Sequence, residues 1–210
     1  MKSFALAFVL PAFFAVMSYD RVPENVVQDG KGYAVGAVVA DFTLKDLEGK
    51  DTSLKTLATG KKYVVVDFWS RECPAAKGCE PAFAKLNTDF SGKGVAFVHV
   101  ASNKQENKAE GDVAKTKEYA KKSNIAFPIL LDVENKIADT FGGKSTPHVY
   151  VIDAKDMKVV YAGALNDNVW KADTVKKEYV REALDLLLAG KPVATPSTKP
   201  EGCTIKRVVG

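Results

Sequence analysis

Cysteine is scarce in this chain, with three in 210 residues, and histidine is scarcer, with two. Three thiols can form at most one internal disulfide and leave one sulfur over, which excludes a small scaffold held by several disulfides. The cysteines are Cys73, Cys79 and Cys203. Ser70 and Ala76 occupy the positions three residues before and after Cys73, so the paired cysteines of a dithiol redox motif are absent.

Long apolar segments and basic blocks are also missing. The apolar run within residues 1–18 follows Lys2 and ends in small residues, so it resembles a secretory signal, and it is too short to span a bilayer as a helix. We expect cleavage after Ser18 and a periplasmic or secreted protein without membrane attachment, with an uncleaved anchor as the alternative. The net charge of +4 is spread out, and no basic block is interleaved with aromatic residues, which argues against nucleic acid as a partner.

The most informative segment that is present runs from Tyr63 through Cys73 to Pro74. Residues 63–69 form an apolar run typical of a strand buried on both faces. Pro74 favours the first position of a following helix, which places Cys73 at the helix N-terminus. There the helix dipole and free backbone N–H groups stabilise an anion, and the thiolate is the nucleophilic form of cysteine. The sequence therefore predicts one activated sulfur.

Hydrophobic patterns predict alternating strands and helices along the chain. A hairpin with a turn at Gly49 precedes the strand at 63–69, and the helix that begins at Pro74 extends to about Phe90. The later predicted elements are strands at 95–101, 127–131, 148–153 and 158–162, helices at 112–123 and 134–141, and a last helix capped by Asp173 and stopped by Gly190. This order indicates an α/β sandwich with a mixed sheet.

The chain is long enough for one main domain with extensions at both ends. We expect an N-terminal arm at 19–34, the domain at 35–190 and a C-terminal tail at 191–210. The tail is rich in Pro, Thr, Ser and Lys, which predicts a flexible extension. Because the tail also holds a cysteine and an apolar residue, Cys203 and Ile205, we expect it to dock on something.

Four motifs follow one another along the chain: Asp41–Gly49, Phe68-Trp69 with Cys73-Pro74, Thr146-Pro147, and residues 160–168 with a later Gly202-Cys-Thr-Ile-Lys206. Together they resemble the redoxin and peroxiredoxin-like (alkyl hydroperoxide reductase/thiol-specific antioxidant) family of the thioredoxin superfamily. The last motif resembles a secreted bacterial subgroup with a C-terminal Gly-Cys-x-Ile-Lys. The resemblance implies a thioredoxin-like three-layer sandwich with a central mixed sheet and an N-terminal hairpin.

The resemblance implies that Cys73 attacks a peroxide or a disulfide, and a second thiol must resolve the sulfenic acid or mixed disulfide that forms. It favours Cys203 as that thiol. Cys79 is an alternative, but it lies six residues after Cys73 on the predicted helix. That spacing is a rise of ~9 Å, against the ~4.4–6.8 Å between bridged Cα atoms, so the first turns would have to unwind. The absence of an internal resolving thiol, and a static Cys79–Cys203 bond, stay open.

The resemblance also assigns substrate-binding residues beside the sulfur. Pro147 would follow a cis peptide bond, so that the backbone of Thr146 faces Cys73 and guides an extended substrate. Trp69 would shelter the thiol, with plain core packing as the alternative, and Ser70 keeps a hydroxyl where peroxiredoxins carry threonine. The predicted substrate-binding residues are Trp69, Ser70, Pro74, Thr146 and Pro147.

Three other polar residues are possible participants. Asp67 lies inside the apolar strand, and buried carboxylates tend to have raised pKa values and functional roles, so Asp67 is a candidate for relaying protons. Glu72 is a second candidate, with an exposed surface carboxylate as the alternative. His99 lies on a core strand, where we expect a buried histidine with its polar atoms satisfied.

We therefore predict a thiol-dependent oxidoreductase that exchanges disulfides and/or reduces peroxide. No cofactor or metal ligand is assigned, and an external thiol would reduce the oxidised protein. One alternative is a copper- or zinc-binding metallochaperone that uses Cys73, Cys79 and His148, since thiolate and imidazole suit those metals. The other is a binding module that has kept the fold and lost the redox chemistry.

Overall fold

The computed structural model describes residues 27–28, 32–104, 106 and 110–207. The strands are β1 (Val27–Gln28), β2 (Gly32–Tyr33), β3 (Thr43–Asp46), β4 (Asp51–Ser53), β5 (Tyr63–Trp69), β6 (Val95–Ala101), β7 (Ile129–Leu131), β8 (Ser145–Thr146), β9 (His148–Asp153), β10 (Val159–Gly163) and β11 (Cys203–Thr204). The α-helices are α1 (Leu54–Ala58), α2 (Pro74–Phe90), α3 (Glu110–Lys122), α4 (Lys136–Phe141) and α5 (Tyr179–Leu188). The predicted signal at 1–18 and most of the predicted arm lie outside the described residues.

The central sheet has the strand order β10-β9-β5-β6-β7-β3-β4. Strands β5, β6 and β7 run parallel, whereas β9 is antiparallel to β5 and β3 is antiparallel to both β7 and β4. The apolar strand β5 is central, as its composition predicts. The sheet is therefore mixed, as expected, and none of the helices in the described part of the chain is long and apolar enough to cross a bilayer.

Strand β5 separates two hydrophobic clusters because its successive side chains point to opposite faces of the sheet. Val65 and Trp69 belong to the first cluster, which α2 and α5 cover. Val64 and Phe68 belong to the second cluster, which α1 and α4 cover. Helices thus lie on both faces of the sheet, which confirms the predicted three-layer sandwich.

The predicted N-terminal hairpin is present as β3 and β4. Its turn is stabilised by Asp46, whose Oδ1 accepts hydrogen bonds from the backbone N–H groups of Glu48 and Lys50, both at 2.9 Å. Gly49 has a φ of +80°, a conformation that favours glycine. Local turn chemistry therefore fixes this hairpin, which is why the sequence predicts it well.

The start of the last helix is wrong in the sequence prediction. Asp173 does not cap it: Asp173 lies in a separate 3₁₀-helix, Ala172–Thr174, and α5 begins at Tyr179. Asp167 explains the delay, because its Oδ1 accepts from Lys176 N–H at 3.0 Å and its own N–H donates to the Lys177 carbonyl at 3.0 Å. These bonds hold the intervening residues outside the helix.

The tail is not the free extension that its composition predicts. Strand β11 pairs antiparallel with β8, in the register Cys203 with Thr146 and Thr204 with Ser145. Ile205 is only 3% exposed and belongs to the second hydrophobic cluster. Backbone pairing and one buried apolar side chain therefore dock the tail on the domain, at the end of the sheet where α2 begins.

Candidate active site

Cys73 lies where the sequence predicts it, at the N-terminus of α2. It is the N-cap residue, Pro74 follows at the first helical position, and the Ala76 N–H donates to the Cys73 Sγ atom at 3.4 Å. Cys73 is 2% exposed. The sulfur thus occupies the anion-stabilising end of a seventeen-residue helix.

The sulfur of Cys73 is bonded to that of Cys203, 130 residues later, with the two Cα atoms 5.9 Å apart. Of the sulfur arrangements that the sequence leaves open, this is the one the structure contains. Cys79 is free, so neither a Cys73–Cys79 nor a Cys79–Cys203 bond is formed. The helix α2 begins at Pro74 without unwinding.

The Thr146–Pro147 peptide bond is cis, as the resemblance implies. The carbonyl oxygen of Thr146 lies 3.0 Å from the Cys73 Sγ, and the Thr146 hydroxyl donates to the Cys203 carbonyl at 3.5 Å. A disulfide sulfur carries no proton, so the first contact becomes a hydrogen bond only when Cys73 is a thiol. The backbone next to Pro147 therefore faces the Cys73 sulfur, and the Thr146 side chain holds the backbone of Cys203.

A buried polar network supports the turn that leads into Cys73. Ser70 Oγ donates to Glu106 Oε1 at 2.9 Å and accepts from Asn103 Nδ2 at 2.8 Å. The Glu72 N–H donates to the same Glu106 oxygen at 3.0 Å. Burial raises the pKa of Glu106 to about 7, although these hydrogen bonds oppose the rise. Ser70 therefore positions the loop, and it is itself fully buried.

Cys79 lies on the same helix in a different environment. Its side chain is 3% exposed, and its Sγ contacts the Val169 carbonyl at 3.8 Å. Burial, together with the negative charges of Asp67 and Glu80, raises the pKa of Cys79 to about 12. Since the thiolate is the reactive form, Cys79 is chemically inert at neutral pH.

Asp67, Glu80 and His99 form a buried charged cluster against Trp69. His99 Nδ1 lies 3.0 Å from Asp67 Oδ2 and Nε2 lies 3.5 Å from Glu80 Oε2, without the alignment of a hydrogen bond. Trp69 Nε1 donates to Glu80 Oε1 at 2.6 Å, and its ring stacks on that of His99. Trp69 is fully buried, so it packs in the core as well as lying near the sulfur.

The cluster explains two shifted pKa values. Burial lowers the pKa of His99, but the carboxylates of Asp67 and Glu80 outweigh it and raise the pKa to about 9. Burial raises the pKa of Asp67 to about 6, against the opposing effect of His99. Between about pH 6 and pH 9, Asp67 is therefore negatively charged and His99 positively charged, and the two form a buried ion pair. His99 is buried, as expected, and its partners are two carboxylates that it contacts as a charged group, without aligned hydrogen bonds.

The remaining proton-relay candidate, Glu72, is on the surface. Its carboxylate pairs with Arg71 and the side chain is 51% exposed. Glu72 thus contributes its backbone N–H to the site, through Glu106, rather than a buried carboxylate.

The three residues of the metallochaperone alternative are not brought together. The His148 ring lies 4.7 Å from that of Tyr150 and 6.4 Å from that of Phe68, two members of the second cluster, whereas Cys79 belongs to the first cluster. Burial, together with the charge of Lys144, lowers the pKa of His148 to about 3. Among the described residues, no group of three or more His, Cys, Asp or Glu side chains is arranged to hold a metal ion. The geometry therefore disfavours metal transfer.

Sequence reasoning missed Glu80, Asn103 and Glu106. Glu80 occupies an ordinary position of an amphipathic helix, and Asn103 and Glu106 lie in a segment whose sequence predicts a polar loop. Their partners are distant along the chain; Ser70, for example, is 36 residues from Glu106. A buried Asp67 in an apolar strand is the one signal that could have pointed to a charged partner such as Glu80 or His99.

Comparison with known proteins places the chain among thiol-based redox proteins. A family model described as the AhpC/TSA family matches residues 35–162. The thiol-disulfide oxidoreductase ResA of Bacillus thuringiensis (strain Al Hakam) is 30% identical over 132 residues, which are 63% of this chain and 70% of that protein. The family match ends before the tail, so the subgroup assignment from the C-terminal motif stays a prediction.

Solved structures show the same fold. An uncharacterized conserved protein from Geobacillus kaustophilus superposes with a TM-score of 0.77 at 30% identity, covering 85% of this chain and 94% of that one. The thioredoxin domain of a thiol-disulfide oxidoreductase from Bacteroides vulgatus superposes with a TM-score of 0.55 at 25% identity, covering 66% and 94%. The thioredoxin-like fold is thereby confirmed.

Proposed function

The chain belongs to the AhpC/TSA family, and we propose that it is a thiol-dependent oxidoreductase in which Cys73 is the nucleophile and Cys203 the resolving thiol. The observation that carries the proposal is the bond between these two sulfurs at the N-terminus of α2. Cys73 has the helix end and the Ala76 N–H to stabilise a thiolate. Cys79, the other thiol, has neither.

The reaction begins with the reduced protein. The Cys73 thiolate attacks one sulfur of a partner disulfide, forms a mixed disulfide and releases the other partner sulfur as a thiolate. The Cys203 thiolate then attacks the Cys73 sulfur and releases the second partner thiolate. The partner disulfide has gained two electrons, and this protein has lost two as the Cys73–Cys203 bond. An external thiol reductant returns the protein to its reduced form by two exchanges in the opposite sense.

A peroxide enters the same scheme at the first step. The Cys73 thiolate takes the terminal oxygen, the O–O bond breaks, an alcohol or water leaves, and Cys73 becomes a sulfenic acid. Cys203 then displaces water to give the same disulfide. The relatives named thiol-disulfide oxidoreductases favour a disulfide as the substrate, and the family that includes peroxide reductases keeps a peroxide as the second candidate.

The positions of these residues support the proposed roles in binding the substrate or in holding the site. The Thr146 backbone beside Pro147 faces the Cys73 sulfur, Ser70 holds the turn before Cys73, and Trp69 packs in the same buried cluster as Cys73. We propose that the protein acts in the periplasm or outside the cell after cleavage following Ser18. The mass of the protein recovered from an exporting host tests this, and retention of residues 1–18 in a membrane fraction would contradict it.

The test of the redox function compares the reduced chain with its Cys203→Ser variant. Each is mixed with bis(2-hydroxyethyl) disulfide or with hydrogen peroxide, and the products are mapped by mass spectrometry. We expect the wild type to form Cys73–Cys203 in both cases. The variant should accumulate a mixed disulfide or a sulfenic acid on Cys73. Modification of Cys79 instead, or no reaction of Cys73, would contradict the proposal; the faster of the two reagents identifies the substrate class.

A further inference from the structure

The C-terminal segment is attached to the domain on both sides of Cys203, and we call residues 196–207 the C-terminal strap. Before Cys203, the strap is attached through Thr198, whose N–H donates to the Ala162 carbonyl at 3.1 Å. Its hydroxyl accepts from the Ala164 N–H at 2.9 Å and shares a 2.7 Å hydrogen bond with the Tyr161 hydroxyl. None of these contacts involves the disulfide.

After Cys203, the strap is attached again. The Ile205 N–H donates to the Lys144 carbonyl at 3.1 Å, and the Ile205 side chain is buried. The Lys206 N–H donates to Asn103 Oδ1 at 2.7 Å, and Asn103 also bonds Ser70 in the turn before Cys73. The strap is therefore linked to the loop of the nucleophile by hydrogen bonds as well as by the sulfur.

Close contact at Gly202 fixes how the strap passes the cis-proline. A Cβ atom added to Gly202 would lie 2.2 Å from the Thr146 carbonyl oxygen and 3.0 Å from the Pro147 nitrogen, and its φ is +146°. Both obstacles are backbone atoms, so a larger residue cannot be accommodated without moving the strap.

The strap occupies a strand-pairing edge beside the sulfur. Its Cys203 and Thr204 take the antiparallel register on β8 that an added strand from another polypeptide would use. Resting on the proposed role of Cys73, we propose that the strap is an autoinhibitory strand. It stays docked when Cys73 and Cys203 are reduced, and an extended partner polypeptide has to displace it to reach Cys73.

The test uses Cys203→Ser, which removes the disulfide but keeps the backbone contacts of the strap. Two further variants are made in this background: Gly202→Ala, which clashes with Thr146, and the matched control Gly92→Ala, whose Cβ meets nothing within 4 Å. Hydrogen exchange of the Ile205 and Lys206 amides reports docking. A cysteine-containing peptide carrying thionitrobenzoate on its sulfur reports access, because attack by the Cys73 thiolate releases coloured thionitrobenzoate and leaves the peptide on Cys73.

We expect both amides to be protected in Cys203→Ser and in the Gly92→Ala control, and exposed in the Gly202→Ala variant. Peptide capture should be about tenfold or more faster with Gly202→Ala and within about twofold with Gly92→Ala, because access follows the population of the displaced strap. Exposed amides in Cys203→Ser, or equal capture rates in all variants, would overturn the autoinhibition. If Cys73 fails to react even with a small disulfide in the Gly202→Ala variant, the proposed redox function is itself wrong, and the proposed autoinhibition is then wrong as well.

Discussion

Cys73 and Cys79 lie six residues apart at the start of the same helix, and their surroundings are opposite. Cys73 caps the helix, accepts the Ala76 N–H and is bonded to Cys203. Cys79 belongs to the first hydrophobic cluster, as Cys73 does, but at Cys79 burial and two carboxylates raise the pKa to about 12. Fractional exposure does not separate the two, since both are nearly fully buried. The two sulfurs differ in the charge around them. Backbone N–H groups at Cys73 favour a thiolate, whereas the carboxylates of Asp67 and Glu80 disfavour one at Cys79.

The same contrast explains how buried carboxyl groups are used. Near Cys79, Asp67 and Glu80 are held by the charge of His99 and disfavour a thiolate. Near Cys73, Glu106 accepts hydrogen bonds from the preceding loop and positions its backbone. One carboxyl group thus fixes the geometry at the reactive sulfur, and two others add to the burial that disfavours a thiolate at Cys79.

The largest expected effect is the difference in the rate of disulfide exchange between the Cys73→Ala and Cys79→Ala variants. Cys73→Ala should lower the rate of disulfide exchange by about a thousandfold or more, because the nucleophile is lost. Cys79→Ala should leave the rate within about threefold, because a protonated thiol takes no part. The measurement is the rate at which each reduced variant reacts with bis(2-hydroxyethyl) disulfide. Similar losses of reaction rate in the two variants would contradict the assignment of Cys73 as the nucleophile and Cys79 as an inert thiol.

Reduction of the disulfide should affect stability next most strongly. The bond closes a loop across 130 residues of sequence, and its loss should lower the free energy of unfolding by about 5 kcal/mol, because the unfolded chain gains conformational freedom. Denaturant unfolding of the oxidised and reduced forms measures this. Reduced Cys203→Ser should match the reduced wild type, and a stability that is the same in both redox states would contradict the expectation.

Glu106 should make stability depend on pH. Its pKa is about 7 in the folded protein against an ordinary 4.5, so the unfolded state loses its proton first as pH rises. The stabilisation is complete below about pH 4.5 and is lost as pH rises through about 7, by about 3 kcal/mol. Glu106→Gln keeps the acceptor for Ser70 and should remove this component of the pH dependence. Parallel unfolding curves for wild type and variant from pH 4.5 to 8 would show that Glu106 is not the titrating group.

Glu80→Gln should have the smallest effect. It removes one of the charges that raise the pKa of Cys79 and keeps an acceptor for Trp69, while burial, the larger cause, remains. Alkylation of Cys79 by iodoacetamide at pH 9 should therefore rise by only about threefold. Glu48→Gln, on the exposed hairpin, is the control. No change at all would indicate that burial alone determines the inertness of Cys79.

Local signals predicted the parts of this molecule that neighbouring residues determine. The strand β5 and the start of α2 at Pro74 follow from composition and from the preference of proline for a first helical turn. The start of α5 could not be predicted, because it depends on Asp167 binding the backbone of Lys176. The roles of Asn103 and Glu106 depend on partners far along the chain, and a polar loop composition does not indicate them. Cys203 and Ile205 correctly predicted that the tail docks, but its place on β8 depends on a distant strand that the sequence does not identify.

The pH dependence of cysteine alkylation distinguishes an activated sulfur at Cys73 from an inert one at Cys79. The reduced protein is treated with iodoacetamide from pH 5 to 11, and modification of Cys73 and Cys79 is followed separately by mass spectrometry. The half-maximal rate at Cys73 should fall at least about one pH unit below the ~8.5 of a free cysteine thiol, whatever its accessibility, since a midpoint does not depend on access. Cys79 should react at least about a hundredfold more slowly than Cys73 at each pH up to 10, because its raised pKa keeps it protonated. A midpoint for Cys73 at or above ~8.5, or equal midpoints for the two cysteines, would contradict the account.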